Sequence, residues 1–239
     1  MRVVVALVVS ALVLTACGGG DETPSAATDS TTTEAPATTT AAVDVAVDKA
    51  EARKLLLRSS DLPAGWKAAP TQRDSVDKAL DDQVAACAGR PRPASRITAR
   101  ADSQTFTMDY AEAGSQAELV RTVEDFKADV AATKGPKYAP CVRRALIKFL
   151  PQQLPPGASV QSVVVERLPV AHYGEFSAGF RATVKLLVQG QPARVYQDAV
   201  LLGKGRVELS AGFSNVQEPF DPALEQELVA KLASRLEAA

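Results

Sequence analysis

Histidine occurs once in this 239-residue chain, tryptophan once and cysteine three times, and aromatic residues make up only 5% of it. Each scarcity removes a class of chemistry. A zinc site takes three or four nitrogen or sulfur ligands, and His172 with so few cysteines cannot supply them, so no metal or other cofactor is expected. A Ser-His-Asp or Cys-His site would have to use His172, which sits in a Gly/Pro-punctuated link, and no Gly-x-Ser-x-Gly elbow accompanies it. Gly203-Lys204-Gly205 lies between two strand-like runs, where a phosphate cradle needs a strand followed by a helix. Charge of one sign is also lacking, since the net charge is −1. From Asp48 onward 26 basic residues face 23 acidic ones, too mild a surplus for nucleic acid, which needs a concentrated basic face.

The chain also lacks an apolar run long enough to span a bilayer, which takes roughly 20 residues. The amino-terminal run from Val3 to Leu14 is of signal-peptide length, about 12 residues, and follows Arg2. Leu14-Thr15-Ala16-Cys17 then resembles the bacterial lipobox. Small residues fit a narrow protease site there, and the Cys17 thiol accepts a diacylglyceryl group. Residues 1–16 are therefore read as a lipoprotein signal peptide and Cys17 as the lipidation site. A second acyl signal matters, because one chain anchors only marginally. Residues 17–47 are rich in Thr, Ala and Pro, carry no aromatic residue and no Lys or Arg, and cannot bury enough surface to order themselves. As a flexible tether of about 30 residues they reach roughly 30 Å. The threonine runs at Thr31–Thr33 and Thr38–Thr40 serve as bare spacer or as acceptors for O-linked sugars.

Residues 48–239 read as one extracytoplasmic domain. Asp48 with Glu51 forms a capping-box pattern for a helix running through Leu55–Leu57, and Pro63-Ala64-Gly65 breaks it. A second helix fits Ser75–Ala88, with Val76, Leu80, Val84 and Cys87 on one stripe. Thr98–Met108 reads as a strand. Ser115 with Glu118 is a second capping-box pattern, predicting a helix on which Leu119, Val123, Phe126 and Val130 share a face. A short helix from Cys141 ends at Pro151.

From there the period changes to two. Val160–Leu168 is β-branched, every even position from Phe176 to Val188 is apolar, and Gly-containing links lead into Arg194–Leu202 and Arg206–Phe213. Asp221-Pro222 opens a last helix with Leu224, Leu228, Leu232 and Leu236 in a row. The expected fold is α+β: an antiparallel β-meander sheet with helices packed mainly on one face.

Past the leader only Cys87 and Cys141 remain. In an exported domain they make a disulfide, worth about 4 kcal/mol for a loop of about 54 residues. Trp66 is either a core plug where the first helix meets the sheet or a wall of an apolar pocket, which Phe126, Phe180 and Leu186 would also line.

The lipobox, the Thr/Pro-rich tether, the paired leucines before Asp61-Leu62-Pro63-Ala64-Gly65-Trp66, the cysteine pair and the late meander resemble secreted lipoproteins of actinobacteria. These in turn are similar to the extracellular sensor domain of mycobacterial membrane Ser/Thr kinases and to the PsbP-like fold. The kinase domains carry two disulfides where this chain can make one. The resemblance implies a lipid-anchored protein on the extracytoplasmic face that binds or senses a ligand. The expected function is accordingly non-enzymatic: capture of a small apolar or amphiphilic ligand, or docking of an envelope protein, near the bilayer. The alternatives are an envelope hydrolase working through Ser, Asp or Glu near His172, and a structural cell-wall protein.

Overall fold

The computed structural model describes residues 44–72, 75–90 and 94–239. The signal peptide, Cys17 and nearly all of the tether lie outside these residues. Thirteen elements follow in chain order: α1 (Val45–Lys54), β1 (Lys67–Ala69), α2 (Ser75–Cys87), β2 (Ile97–Asp102), β3 (Thr105–Met108), β4 (Ala111–Val120), α3 (Val123–Lys134), α4 (Tyr138–Phe149), β5 (Ala158–Leu168), β6 (Phe176–Val188), β7 (Gln191–Lys204), β8 (Val207–Val216) and α5 (Pro222–Ala238). The eight strands form one sheet in the order β1-β3-β4-β8-β7-β6-β5, with β2 also paired to β4. Every pairing is antiparallel, so the fold is α+β.

The meander follows from local chemistry. Val188 pairs with Gln191 across a two-residue turn in which Gln189 and Gly190 both have positive φ, the hairpin geometry that matches strand twist. At the end of the chain, Asp221 caps α5 by accepting the N–H groups of Ala223 and Leu224, with Pro222 in the first turn.

Three elements depart from the sequence expectation. α1 starts at Val45 with Asp44 as its cap, the carboxylate accepting from Ala46 at 2.9 Å and Val47 at 3.2 Å. The helical chain thus begins inside segment 17–47, and Asp48 is a buried ion-pair partner of Arg206. The larger correction concerns Ser115 and Glu118. They lie in β4, a strand held by β8 on one edge and by β2 and β3 on the other. Ser115 Oγ accepts the Leu57 N–H at 2.8 Å, and Glu118 pairs with Arg100 at 2.9 Å. Ladder bonds to both neighbours outweigh a local capping signal. The helix opens later, at Val123, where Thr122 Oγ1 accepts the Asp125 N–H. The predicted strand Thr98–Met108 is also divided, into β2 and β3.

Helices cover both faces of the sheet. Cross-strand partners share a face, so the register shows which residues go together. The even positions Phe176 to Leu186 of β6 are buried with α2, α3 and α4. Val207, Leu209, Ala211 and Phe213 of β8 align through Leu202 and Val200 with the odd positions of β6. They therefore point the other way, against α1 and α5. The apolar surface changes face across β7, which is why α1 and α5 pack opposite the other three helices. The Cys87–Cys141 disulfide joins α2 to α4, with Cα atoms 5.6 Å apart.

Candidate functional site

The connector between β5 and β6 runs Leu168-Pro169-Val170-Ala171-His172-Tyr173-Gly174-Glu175. It lies over the sheet face that α1 and α5 cover, beside the start of α5. Val170 sits where a side chain at Gly179 would be, since a Cβ there would fall 2.4 Å from Val170 Cγ2. Ser177 Oγ donates to the Ala171 carbonyl, and the Gly174 N–H donates to Glu237 Oε1 of α5. Glycine in β6 thus lets the connector seat closely while its far end is tied to the helix.

Between connector, helix and sheet is a cleft of about 320 Å³. Its walls are apolar: Leu168, Val170, Val200 and Val229. On the sheet side the charged group that lines it is Arg181, with Asp198 buried beside it. Arg181 of β6 and Asp198 of β7 are cross-strand partners joined by two bonds, Nε to Oδ1 at 2.6 Å and Nη2 to Oδ2 at 2.5 Å. Asp198 is 1% exposed. Glu225, in the first turn of α5, also lines the cleft. Burial, then the Asp198 charge and a hydrogen bond to Asp198, push its carboxyl up to about 8 against the opposing pull of Arg181. A concave, mostly apolar space with a few convergent polar groups and a displaced acid is the usual form of a small-molecule site.

On the other face, α2, α3 and the sheet enclose a smaller cavity of about 90 Å³. Val84, Phe126 and Val130 form its walls, and Gln116 and Ser210 are among its polar lining. Gln116 is 1% exposed, and neither atom of its amide has a hydrogen-bond partner.

Of the four residues expected to line one pocket, Phe126, Phe180 and Leu186 share the core under α2, α3 and α4, and Trp66 packs against the other core. Phe126 lines the smaller cavity. Phe180 stacks on Tyr138 at 4.9 Å between ring centroids, and Leu186 is core. Trp66 lies against Phe220 on the opposite face, centroids 5.9 Å apart, as part of the packing around α5. His172 is exposed on the connector, between the cleft-lining Ala171 and Tyr173. Among the described residues no group of three or more His, Cys, Asp or Glu is placed to hold a metal. Sequence reasoning missed Arg181, Asp198 and Glu225. Arg181 reads as a solvent-side position of β6, and only Asp198, a lone acid beside Ala199-Val200 in a strand, signals a buried partner.

The floor of the cleft makes stability pH-dependent. Glu225 rises from an ordinary 4.5 to about 8, and burial pushes Glu112 from 4.5 to about 7. Over that interval the folded chain holds more protons than the unfolded one, so stability falls as pH rises from about 4.5 to 8. Glu225→Gln keeps a donor toward Asp198 and cannot ionise. In chemical unfolding at a series of pH values it should match the wild type near pH 5 and be the more stable of the two above about pH 8. Parallel curves would show that Glu225 does not carry the effect.

No protein-family model matches the chain, and no curated protein matches it. Among solved structures, the extracellular domain of PknH from Mycobacterium tuberculosis is similar at a TM-score of 0.47 and 10% identity, over 80% of this chain and 97% of that one. The functional reading rests on the residues of the site.

Proposed function

We propose that this chain is a lipid-anchored, extracytoplasmic, non-enzymatic binding protein that holds a small amphiphilic molecule in the cleft between the β5–β6 connector and α5. One observation carries the reading: a space of about 320 Å³ with hydrocarbon walls, lined also by Arg181, which is paired with the buried Asp198, and by Glu225. Ligand sites of about 300 Å³ and above bury most of a small ligand in this way. The anchoring half of the proposal rests on Leu14-Thr15-Ala16-Cys17 and the charge-poor tether after it. Among the described residues no helix is long and apolar enough to cross a membrane.

Native mass spectrometry with organic extraction tests the binding half. The full chain carrying Cys17→Ser, exported and purified without detergent, should bring down an amphiphile at one per chain. The same protein with Ala171→Trp, which fills the cleft, should come down without it. A bare mass for both would overturn the proposal. For the anchor, metabolic palmitate labelling should mark the wild type and leave Cys17→Ala unlabelled; equal labelling of the two would place the lipid elsewhere.

A further inference from the structure

Resting on that reading, the charges around the cleft specify the ligand's head group. Two ionisable groups line the cleft, Arg181 of β6 and Glu225 of α5; Arg181 has Asp198 of β7 and Glu166 of β5 as its cross-strand neighbours, and Asp198 is buried. Arg181 is the single cation in this set, and its planar fork is already spent on Asp198 through two short bonds. The guanidinium keeps N–H donors to spare, but the Asp198 carboxylate already cancels most of its charge toward an incoming anion. Glu225 is left lining the cleft with a buried carboxylate beside it and no cation of its own. In the empty site a proton fills that role, because two carboxylates this close and this desolvated do not both ionise.

We infer that the cleft receives an organic amine, its ammonium group held by Glu225 and its hydrocarbon part lying against Val170, Val200 and Val229. The exchange balances. The protonated Glu225 carboxyl gives its proton to solvent, the carboxylate accepts an N–H from the ligand's ammonium, and the net charge of the site does not change, one positive charge replacing another. An alcohol of the same chain gains the apolar walls and no charge-assisted bond. A carboxylate of the same chain meets a floor whose one cation is already paired. The space suits a chain of six or so carbons, and the walls reward hydrocarbon over a second polar group.

The test is isothermal titration of the full chain carrying Cys17→Ser with three matched probes, n-hexylamine, n-hexanol and n-hexanoate. It is run near pH 7 in two buffers of different ionisation enthalpy, so that proton release is read directly. Hexylamine should bind about tenfold or more tighter than hexanol, the worth of a charge-assisted hydrogen bond, and hexanoate should bind weakest. Hexylamine binding should release close to one proton per chain. Glu225→Gln should abolish that release and the preference for the amine, and an unfolding midpoint equal to the wild type's near pH 5 shows the variant folded. If hexanol binds as tightly as hexylamine, or if the amine binds without releasing a proton, the amine inference is overturned while the cleft stands. If none of the three binds the wild type, the cleft reading and the inference fall together.

Discussion

Replacing both Cys87 and Cys141 with alanine should lower the unfolding free energy by about 4 kcal/mol, the chain-entropy value for a loop of this length. The bridge spans a sequence separation of 54 that holds β2, β3, β4 and α3. It also decides where α2 sits. That helix packs chiefly on α4 and buries only Leu80, Asp81 and Val84 fully, so it has little independent hold on the sheet. Two effects should therefore separate. Guanidinium unfolding followed by Trp66 fluorescence should shift its midpoint strongly. Amide exchange should rise first in Ser75–Cys87, ahead of β6 and β7, because a weakly packed unit opens at lower cost than the core. A loss below about 1 kcal/mol would show that α2 is held by its side chains alone.

The second large effect belongs to Asp48. It is buried inside the fold and receives Arg206 Nη2 at 2.8 Å, Arg206 Nη1 at 3.2 Å and the Thr98 hydroxyl. Burial alone would raise its carboxyl; the hydrogen bonds from Arg206 and Thr98 more than offset that and hold it below the usual carboxylate range. Asp48→Ala leaves the Arg206 guanidinium at the core's edge without its anion and should cost about 3 kcal/mol. Asp44→Ala, which removes only the cap of α1, should cost about 1 kcal/mol. Replacing both Asp48 and Arg206 with apolar residues should recover much of the Asp48 loss, since the penalty is that of a stranded charge. Equal effects at positions 44 and 48 would return Asp48 to a capping role.

The same carboxylate sets the acid side of the stability curve. Its folded pKa is depressed, so its contribution is present above the ordinary carboxylate range and is lost as pH falls through that range toward the folded value. Asp61 and Asp125 are lowered in the same way, by Arg235 and Arg96 working against their burial. Glu112 and Glu225 act in the opposite sense and cost stability as pH rises toward 8. Stability should accordingly peak in the mildly acid range.

What the sequence determined by itself is the set of elements whose signal is local. The period of two in Phe176–Val188, a glycine turn after it (expected at Gly190-Gln191-Pro192 and found one residue earlier, at Gln189-Gly190) and the Asp221-Pro222 start of α5 each depend on residues within a turn or a strand of one another. The pairing of Cys87 with Cys141, 54 residues apart, is legible for a different reason: past the leader no other cysteine remains. Tertiary structure decided everything that depended on a distant partner. Ser115-x-x-Glu118 has the spacing of a helix cap and became the middle of β4, because ladders to β8 and β2 satisfy its backbone on both edges. Asp48 has the spacing of a cap and became the anion for Arg206, 158 residues away. The change of apolar face across β7 is invisible in any one strand, since a period of two says that faces alternate and not which face meets which helix. The cleft is the extreme case. Arg181, Asp198 and Glu225 come from three elements, each ordinary in its own sequence window, and they gain their chemistry only where the fold buries Asp198 and brings the other two against it.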